Sequence, residues 1–123
     1  MFKVTKVDGT VTNVPDVIYL PAKSGETILR GEALVFGTTG LTKCGADVAP
    51  EYISLGSVMG TDPDREIAVY RVTPSVEFEV PYTAAPTVGD SVKLDTNATK
   101  ITATTGGQAK VLAVYNGKAT VRF

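Results

Sequence analysis

The chain has 123 residues, of which 43% are hydrophobic and 20% charged, and its formal net charge is −1. This length favours a single domain, and the hydrophobic fraction is too high for a disordered chain. The near-neutral charge argues against direct binding to nucleic acid, because no basic surplus exists to neutralise phosphates. Histidine is absent and Cys44 is the single cysteine. The chain therefore offers no Ser-His or Cys-His catalytic pair and no internal disulfide.

The order of residue types along the chain predicts strands rather than helices. β-branched residues are abundant, and glycines or turn dipeptides recur at intervals of about 8 to 12 residues, the spacing of a sandwich or barrel. The N-terminal stretch lacks the apolar region of a secretory signal, and no apolar run approaches the ~18 residues of a membrane-spanning helix. We expect an all-β fold, a small antiparallel β-barrel or sandwich, with no membrane partner.

The N-terminal segment, residues 1–20, is predicted to be an arm or ribbon ahead of a single β-barrel-like domain over residues 21–123. Asp8-Gly9 is a type I′ turn signal, but neither face of the ribbon around it is apolar enough to sit firmly on a core. The segment is therefore either an edge ribbon or an arm that docks on another chain. In the second case, the expected contact residues are Phe2, Val4, Val7, Val11 and Val14.

The middle of the chain predicts two strands of different character. Residues 66–73 carry apolar side chains on both faces, which is typical of a central or doubly covered strand. Apolar Val76, Phe78, Val80 and Tyr82 alternate with polar residues, which predicts a half-buried strand with its charges outward.

Two segments of the chain have similar patterns. The segment 31–43 (GEALVFGTTGLTK) and the segment 89–102 (GDSVKLDTNATKIT) both run glycine, acid, strand, polar turn, short strand. The glycine permits a sharp bend, and the acid can cap backbone N–H groups in the turn. The similarity predicts a pseudo-symmetric β-barrel.

The C-terminal residues 106–123 predict a β-hairpin that turns at Asn116-Gly117. A two-residue loop sets the cross-strand partners. The expected pairs are Tyr115 with Lys118, Val114 with Ala119, Leu112 with Val121 and Lys110 with Phe123. The face that must be covered then consists of Leu112, Val114, Ala119, Val121 and Phe123. A two-stranded ribbon is marginal alone in water, so we expect it to join a larger sheet.

Candidate catalytic and metal-binding residues are few. The acidic loop 62–66 offers oxygens but lacks the length and glycine of an EF-hand. Glu77 and Glu79 share a strand face, which is equally the pattern of a solvated strand. Cys44 has no base to activate it and is expected to be structural. We therefore predict that the protein is not an enzyme and has no cofactor and no metal.

The C-terminal third resembles small capsid decoration proteins of tailed bacteriophages, through residues 88–94, residues 107–114 and the last strand 121–123. Residues 31–43 are similar to the corresponding element in the first half. The resemblance implies a non-enzymatic β-rich protein that binds the outside of an assembled head and stiffens it. Proteins of that family commonly use an N-terminal arm against the capsid lattice.

On this resemblance the expected partner is the major capsid protein, with self-association undecided between monomer and trimer. The expected location is the capsid surface of a virion, after synthesis in the host cytoplasm. Two alternatives stay open at this point. One is a tail-tube, neck or head-completion β-protein, and the other is a non-catalytic carbohydrate-binding module.

Overall fold

A computed structural model describes residues 1–10 and 15–123 of the chain, and every regular element within these ranges is a β-strand. The expected all-β class is therefore confirmed. Within the same ranges there is no helix that could span a membrane. The strands are β1 (Lys3–Val7), β2 (Val17–Pro21), β3 (Ala33–Gly37), β4 (Gly40–Lys43), β5 (Tyr52–Ser54), β6 (Glu66–Arg71), β7 (Val76–Pro81), β8 (Ser91–Leu94), β9 (Ile101–Thr105), β10 (Ala109–Tyr115) and β11 (Lys118–Arg122).

The strands form two antiparallel sheets. One has six strands in the order β1-β7-β11-β10-β8-β9, and the other has five in the order β2-β6-β5-β3-β4. One parallel bridge, Ala22 with Leu41, joins the end of β2 to β4. A second, Tyr82 with Ile101, joins the end of β7 to β9. Neither sheet closes into a barrel, so the sandwich alternative of the prediction is the one found.

The two sheets contain the same five-stranded motif. Strands β2 to β6 correspond, in chain order, to strands β7 to β11. The order β2-β6-β5-β3-β4 of one sheet therefore matches the order β7-β11-β10-β8-β9 within the other. The registers agree as well, since Pro21 lies opposite Glu66 and Pro81 lies opposite Lys118. Each proline is followed by the residue that makes the parallel bridge. We call strands β2 to β6 the first motif and strands β7 to β11 the second motif.

The similar segments found in the sequence are the β3–β4 and β8–β9 hairpins, which occupy equivalent places at the ends of the two sheets. The expected internal symmetry is therefore present, although as two related sheets rather than as one barrel. Within residues 1–10 and 15–123, strand β1 has no counterpart beside the first motif, and it makes the second sheet the larger of the two.

Two hydrophobic clusters hold the fold together. The smaller one belongs to the first motif and includes Ile28, Leu34, Leu41 and Val69. The larger one lies between the sheets and contains residues of both motifs, such as Ile53 and Phe78. At its centre the rings of Phe2, Phe78 and Phe123 lie with their centroids 5.7–6.0 Å apart. Because the larger cluster draws on both motifs, each motif depends on the other for burial of its apolar surface.

Strand β6 is covered on both faces, as predicted. Ile67 and Val69 belong to the smaller cluster, whereas Tyr70 and the following Val72 pack against the larger one. Strand β7 also follows its predicted alternation, with Val76, Phe78 and Val80 buried and Tyr82, just after it, half-buried.

The C-terminal hairpin departs from its predicted register beyond the turn. Tyr115 lies opposite Lys118 and Val114 opposite Ala119, as expected. A bulge between Val111 and Ala113 then places Val111 opposite Val121. The predicted pairs of Leu112 with Val121 and Lys110 with Phe123 are therefore wrong, because the bulge adds one residue to β10 and shifts all later pairs by one.

The bulge also changes which side chains the hairpin buries. Ala119 and Val121 are fully buried, and Val114 and Phe123 are half-buried against the larger cluster. Val111 takes the buried position that was predicted for Leu112, which is half-buried and outside that cluster. A one-residue change of register moves side chains to the opposite face of a sheet, which accounts for the exchange.

The described part of the N-terminal segment belongs to the domain rather than standing apart as an arm. Strand β1 pairs with β7 in one sheet, and β2 pairs with β6 in the other. The turn at Asp8-Gly9 has the positive φ values of a type I′ turn, 52° and 73°. The N–H groups of Val7 and Thr10 each donate to the carbonyl of the other, so the predicted turn is present.

Candidate interaction surface

The side chains predicted to contact a partner instead lie largely inside the protein. Phe2 is 3% exposed and Val7 is 8% exposed, and both belong to the larger hydrophobic cluster. Val4 is half-buried against that cluster. Val11 and Val14 lie outside the described residues. The described apolar residues of this set anchor β1 to the core, so a partner of this segment must contact other side chains.

The residues of β1 that do face solvent are basic. Lys3 and Lys6 are exposed, and they lie opposite Glu79 and Glu77 of β7. Opposite charges across a strand pair stabilise the sheet modestly, by about 0.2–1 kcal/mol for each pair. Simple alternation would put Lys3 and Lys6 on opposite faces, but a register shift between Val4 and Lys6 brings both lysines to the face opposite the buried apolar side chains of β1.

Two shallow grooves flank the start of β1. One has a volume of about 200 Å³ and is lined by Met1, Phe2, Lys3, Val4, Arg30, Ser54, Leu55 and Tyr70. The other has a volume of about 270 Å³ and is lined by Met1, Lys3, Glu79, Pro81 and Lys118. Because Met1 and Lys3 line both grooves, they form a continuous surface with the cations on either side. We call the surface made by Met1, Lys3, Arg30 and Lys118 the docking ridge.

The charge of the docking ridge is positive. Lys118 Nζ lies 3.2 Å from Glu79 Oε1, and the hydroxyl of Tyr115 donates to Glu79 Oε2 at 3.2 Å. These two hydrogen bonds, that of Lys118 first, lower the pKa of Glu79 below its ordinary value and keep the carboxylate charged. In the described part of the chain no carboxylate forms an ion pair with Lys3 or Arg30. The ridge is therefore suited to a partner surface that carries acidic groups.

The acidic loop considered for a cation has structural hydrogen bonds instead. Asp62 Oδ2 accepts from the N–H of Met59, and Asp64 Oδ1 accepts from the N–H of Glu66. The guanidinium of Arg65 donates to the carbonyls of Met59, Lys23 and Glu26, which ties the loop to residues 23–26. Among the described residues, no group of three His, Cys, Asp or Glu side chains could hold a metal ion.

Cys44 is buried, and its environment suppresses its chemistry. The thiol donates to the carbonyl of Val48 at 3.0 Å. Burial, with smaller contributions from Asp47 and Glu51, raises the pKa of the Cys44 thiol to about 11. A thiol with so high a pKa has almost no thiolate at neutral pH and is a poor nucleophile.

The burial of Glu32 could not be predicted from the sequence pattern. This residue is 2% exposed, and its Oε1 lies 3.8 Å from Lys43 Nζ. Its N–H donates to Ser54 Oγ, which in turn donates to the carbonyl of Leu29. Burial raises the pKa of Glu32, while the charge of Lys43 opposes the rise. The glycine-acid pattern predicts that Glu32 caps backbone N–H groups in a turn. Instead, the Glu32 side chain is buried among residues that are distant from it in sequence.

The docking ridge itself was also invisible in the sequence pattern. Arg30 lies in a loop of the first motif, Lys3 on β1 and Lys118 on β11, and only the pairing of β1 with β7 next to β11 brings them together. The pairing sets Lys3 and Lys6 against Glu79 and Glu77, more than 70 positions away, which no short stretch of the sequence can reveal.

Comparison with known proteins does not assign a function to this chain. No protein-family model matches the chain, and a search of curated proteins finds no match.

Proposed function

We propose that this chain is a structural virion protein that binds the outer surface of a phage capsid through the docking ridge and stabilises the shell. The observation that carries the proposal is that the N-terminal strand has one side buried in the core and a basic side exposed to solvent. Its apolar side chains Phe2 and Val7 lock the strand into the core, while Lys3 is held exposed between two grooves. The backbone that carries Lys3 is already fixed, so a partner has to order only the lysine side chain when it binds.

The resemblance to capsid decoration proteins supports the proposal, and the charge of the ridge suits it. A ridge with Lys3, Arg30 and Lys118 matches an acidic patch on a protein lattice. Each contact is modest, but many copies bound to one shell add their contributions and resist outward pressure. In this proposal the protein catalyses no reaction and needs no cofactor, and its partner is the major capsid protein.

The test is binding of the protein to purified empty phage heads, with charge reversal at the ridge. The double variant Lys3→Glu, Arg30→Glu is chosen because both side chains are exposed. Lys3→Glu places a like charge opposite Glu79, at a cost of up to about 1 kcal/mol, so circular dichroism verifies that the fold is retained. This is preferable to deletion of the N-terminal segment, which would remove β1 and two core side chains. The matched control is Lys23→Glu, since Lys23 is exposed and lines neither groove.

We expect the wild type and the control to bind heads and to raise the temperature at which the heads rupture. The double variant should bind at least about tenfold more weakly, since like charges across an interface cost several kcal/mol. If the double variant binds as the wild type does, the ridge is not the contact surface. If the wild type neither binds nor stabilises any head, the capsid function itself is excluded, and rings formed by the isolated protein would then favour a tail or neck protein.

A further inference from the structure

The internal symmetry of the fold exposes a difference between two equivalent strand edges. Strand β7 of the second motif carries β1 on the side away from β11. Strand β2 is its equivalent in the first motif, and among the described residues no strand pairs with β2 on the side away from β6. Among the described residues, β4 approaches this side only near the end of β2, where Ala22 bridges to Leu41 and the N–H of Lys23 donates to the carbonyl of Leu41. The place that β1 fills in one motif is thus taken by no described strand in the other.

The backbone of β2 is ready to accept a strand on this edge. The N–H of Arg71 donates to the carbonyl of Asp16, and the N–H of Ala22 donates to the carbonyl of Arg65. These bonds show that the backbone N–H and C=O groups of the even-numbered residues between 16 and 22 point toward β6. In an antiparallel ladder the alternate residues point the other way, so the N–H and C=O groups of Val17 and Tyr19 lie along the outer edge.

The side chains on this edge differ from those that receive β1. Val17 and Tyr19 occupy the positions of Glu77 and Glu79, the two acids that lie opposite lysines of β1. Val17 is 47% exposed and Tyr19 is 68% exposed. A strand that pairs with β2 must therefore present uncharged side chains on this face, which excludes a strand with the lysines of β1.

We propose that the outer edge of β2 pairs with β2 of a second copy of this chain. The stretch 15–21 (PDVIYLP) has prolines at equal distances on either side of Ile18. An antiparallel pair with its two-fold axis at Ile18 places Val17 directly opposite Tyr19 of the second copy, and the reverse. The two Val17–Tyr19 pairs exchange four backbone hydrogen bonds. The prolines lack N–H groups and end the ladder on both sides.

This arrangement is self-complementary in shape and in charge. A tyrosine opposite a β-branched residue is among the favourable cross-strand pairs, and the only charged side chain in the ladder, Asp16, lies opposite Leu20 rather than another Asp16. The two five-stranded sheets then form one continuous ten-stranded sheet. The interface is isologous and closes at two copies, so it produces a dimer and neither a ring nor a filament.

The paired stretch is short, so we expect the dimer to be weak. Five paired residues bury less than the ~1,200 Å² of a stable interface, so dissociation in dilute solution is expected. Copies held close together by an assembly would pair far more completely, since their effective concentration is high. The edge of β2 shares no residue with the docking ridge, so the pairing stands independently of the proposed function.

The experiment is a concentration series of the full chain, followed by sedimentation equilibrium and by amide hydrogen exchange in NMR spectra. We expect a monomer–dimer equilibrium in which the amides of Val17 and Tyr19 become protected as the dimer forms. Tyr19→Lys should abolish the dimer, because it removes the aromatic partner from both Val17–Tyr19 pairs and places a lysine on the pairing edge of each copy, the side chain with which natural sheets block edge pairing. Val88→Lys is the control, because Val88 is 58% exposed and lies on no strand.

Either of two results would overturn the proposal. One is a monomer at every concentration, with the amides of Val17 and Tyr19 exchanging fast throughout. The other is an oligomer that persists in Tyr19→Lys, or that has three copies. Val17→Lys is a second variant in case Tyr19→Lys is unstable, and circular dichroism verifies the fold of each. The double variant of the docking ridge should still dimerise, so failure of one proposal leaves the other open to its own test.

Discussion

Gly31 and Gly89 occupy the same position in the two motifs and make the same hydrogen bond. Their φ angles are 82° and 94°, and their N–H groups donate to the carbonyls of Ser54 and Val111 at 2.8 and 2.9 Å. The N–H groups of Ser54 and Val111 in turn donate to the carbonyls of the acids that follow the glycines. The glycine-acid pattern thus marks a turn that occurs once in each motif. In both turns the residue with the left-handed backbone conformation is the glycine, which adopts it without a steric penalty.

Alanine substitution at these two glycines should give unequal losses of stability. At Gly89 an added Cβ meets open space, so the cost is that of the left-handed backbone, about 1–2 kcal/mol. At Gly31 an added Cβ overlaps the side chain of Met1, so Gly31→Ala should cost more than Gly89→Ala. Urea denaturation measures both free energies of unfolding. Equal losses would show that Met1 moves aside freely.

Gly107 is needed for a different reason, because β8 passes directly over it. An added Cβ would overlap the carbonyl group of Val92 and the nitrogen of Lys93, which are backbone atoms and cannot swing away. We expect Gly107→Ala to cost about 3 kcal/mol or more, at the upper end of overpacking effects. Gly37→Ala is the control, since its nearest atom is 3.9 Å away. A Gly107→Ala protein as stable as the control would contradict this packing.

The buried acid Glu32 should make stability depend on pH in a defined direction. Because burial raises the pKa of Glu32, the folded protein keeps this proton to a higher pH than the unfolded chain does. The contribution to stability is fully present below the unfolded carboxyl pKa and is lost as the pH rises through the folded pKa. Glu32→Gln cannot ionise, so its stability relative to the wild type should rise from pH 4 to pH 7. A difference in unfolding free energy that is constant over this range would argue against the assignment.

Cys44 should resist thiol reagents in the folded protein. Its side chain is buried, and its pKa of about 11 leaves very little thiolate at neutral pH. We expect negligible alkylation by iodoacetamide under native conditions and complete alkylation in denaturant, as measured by intact mass. Rapid native labelling would mean that the segment around Val48 opens readily.

Local signals predicted the local structure of this fold well. The turns at Asp8-Gly9 and Asn116-Gly117, the double coverage of β6 and the two similar hairpins all follow from the order of residue types within short stretches. The bulge at Leu112 did not, since nothing in a single strand distinguishes the residue that leaves the ladder. Its effect was to exchange Leu112 for Val111 in the core.

The candidate site was harder to predict because it depends on distant pairings. The N-terminal ribbon around Asp8-Gly9 is poorly amphipathic, and this pattern predicts that Phe2 and Val7 contact a partner. Their burial requires β7, and Thr5 and Glu77, joined by a hydrogen bond, are 72 positions apart in the chain. The open edge of β2 likewise became visible only by comparison with its equivalent in the second motif.

The place of β1 also sets the order of events on the ribosome. Strand β1 pairs with β7, which follows the whole first motif in the chain, so β1 must wait while the first motif emerges and folds around its own small cluster. Closing so long a loop is entropically costly and slow compared with forming hairpins. Until β7 has been made, Phe2 and Val7 have no core to enter, so β1 stays an exposed apolar segment that a chaperone can bind during synthesis.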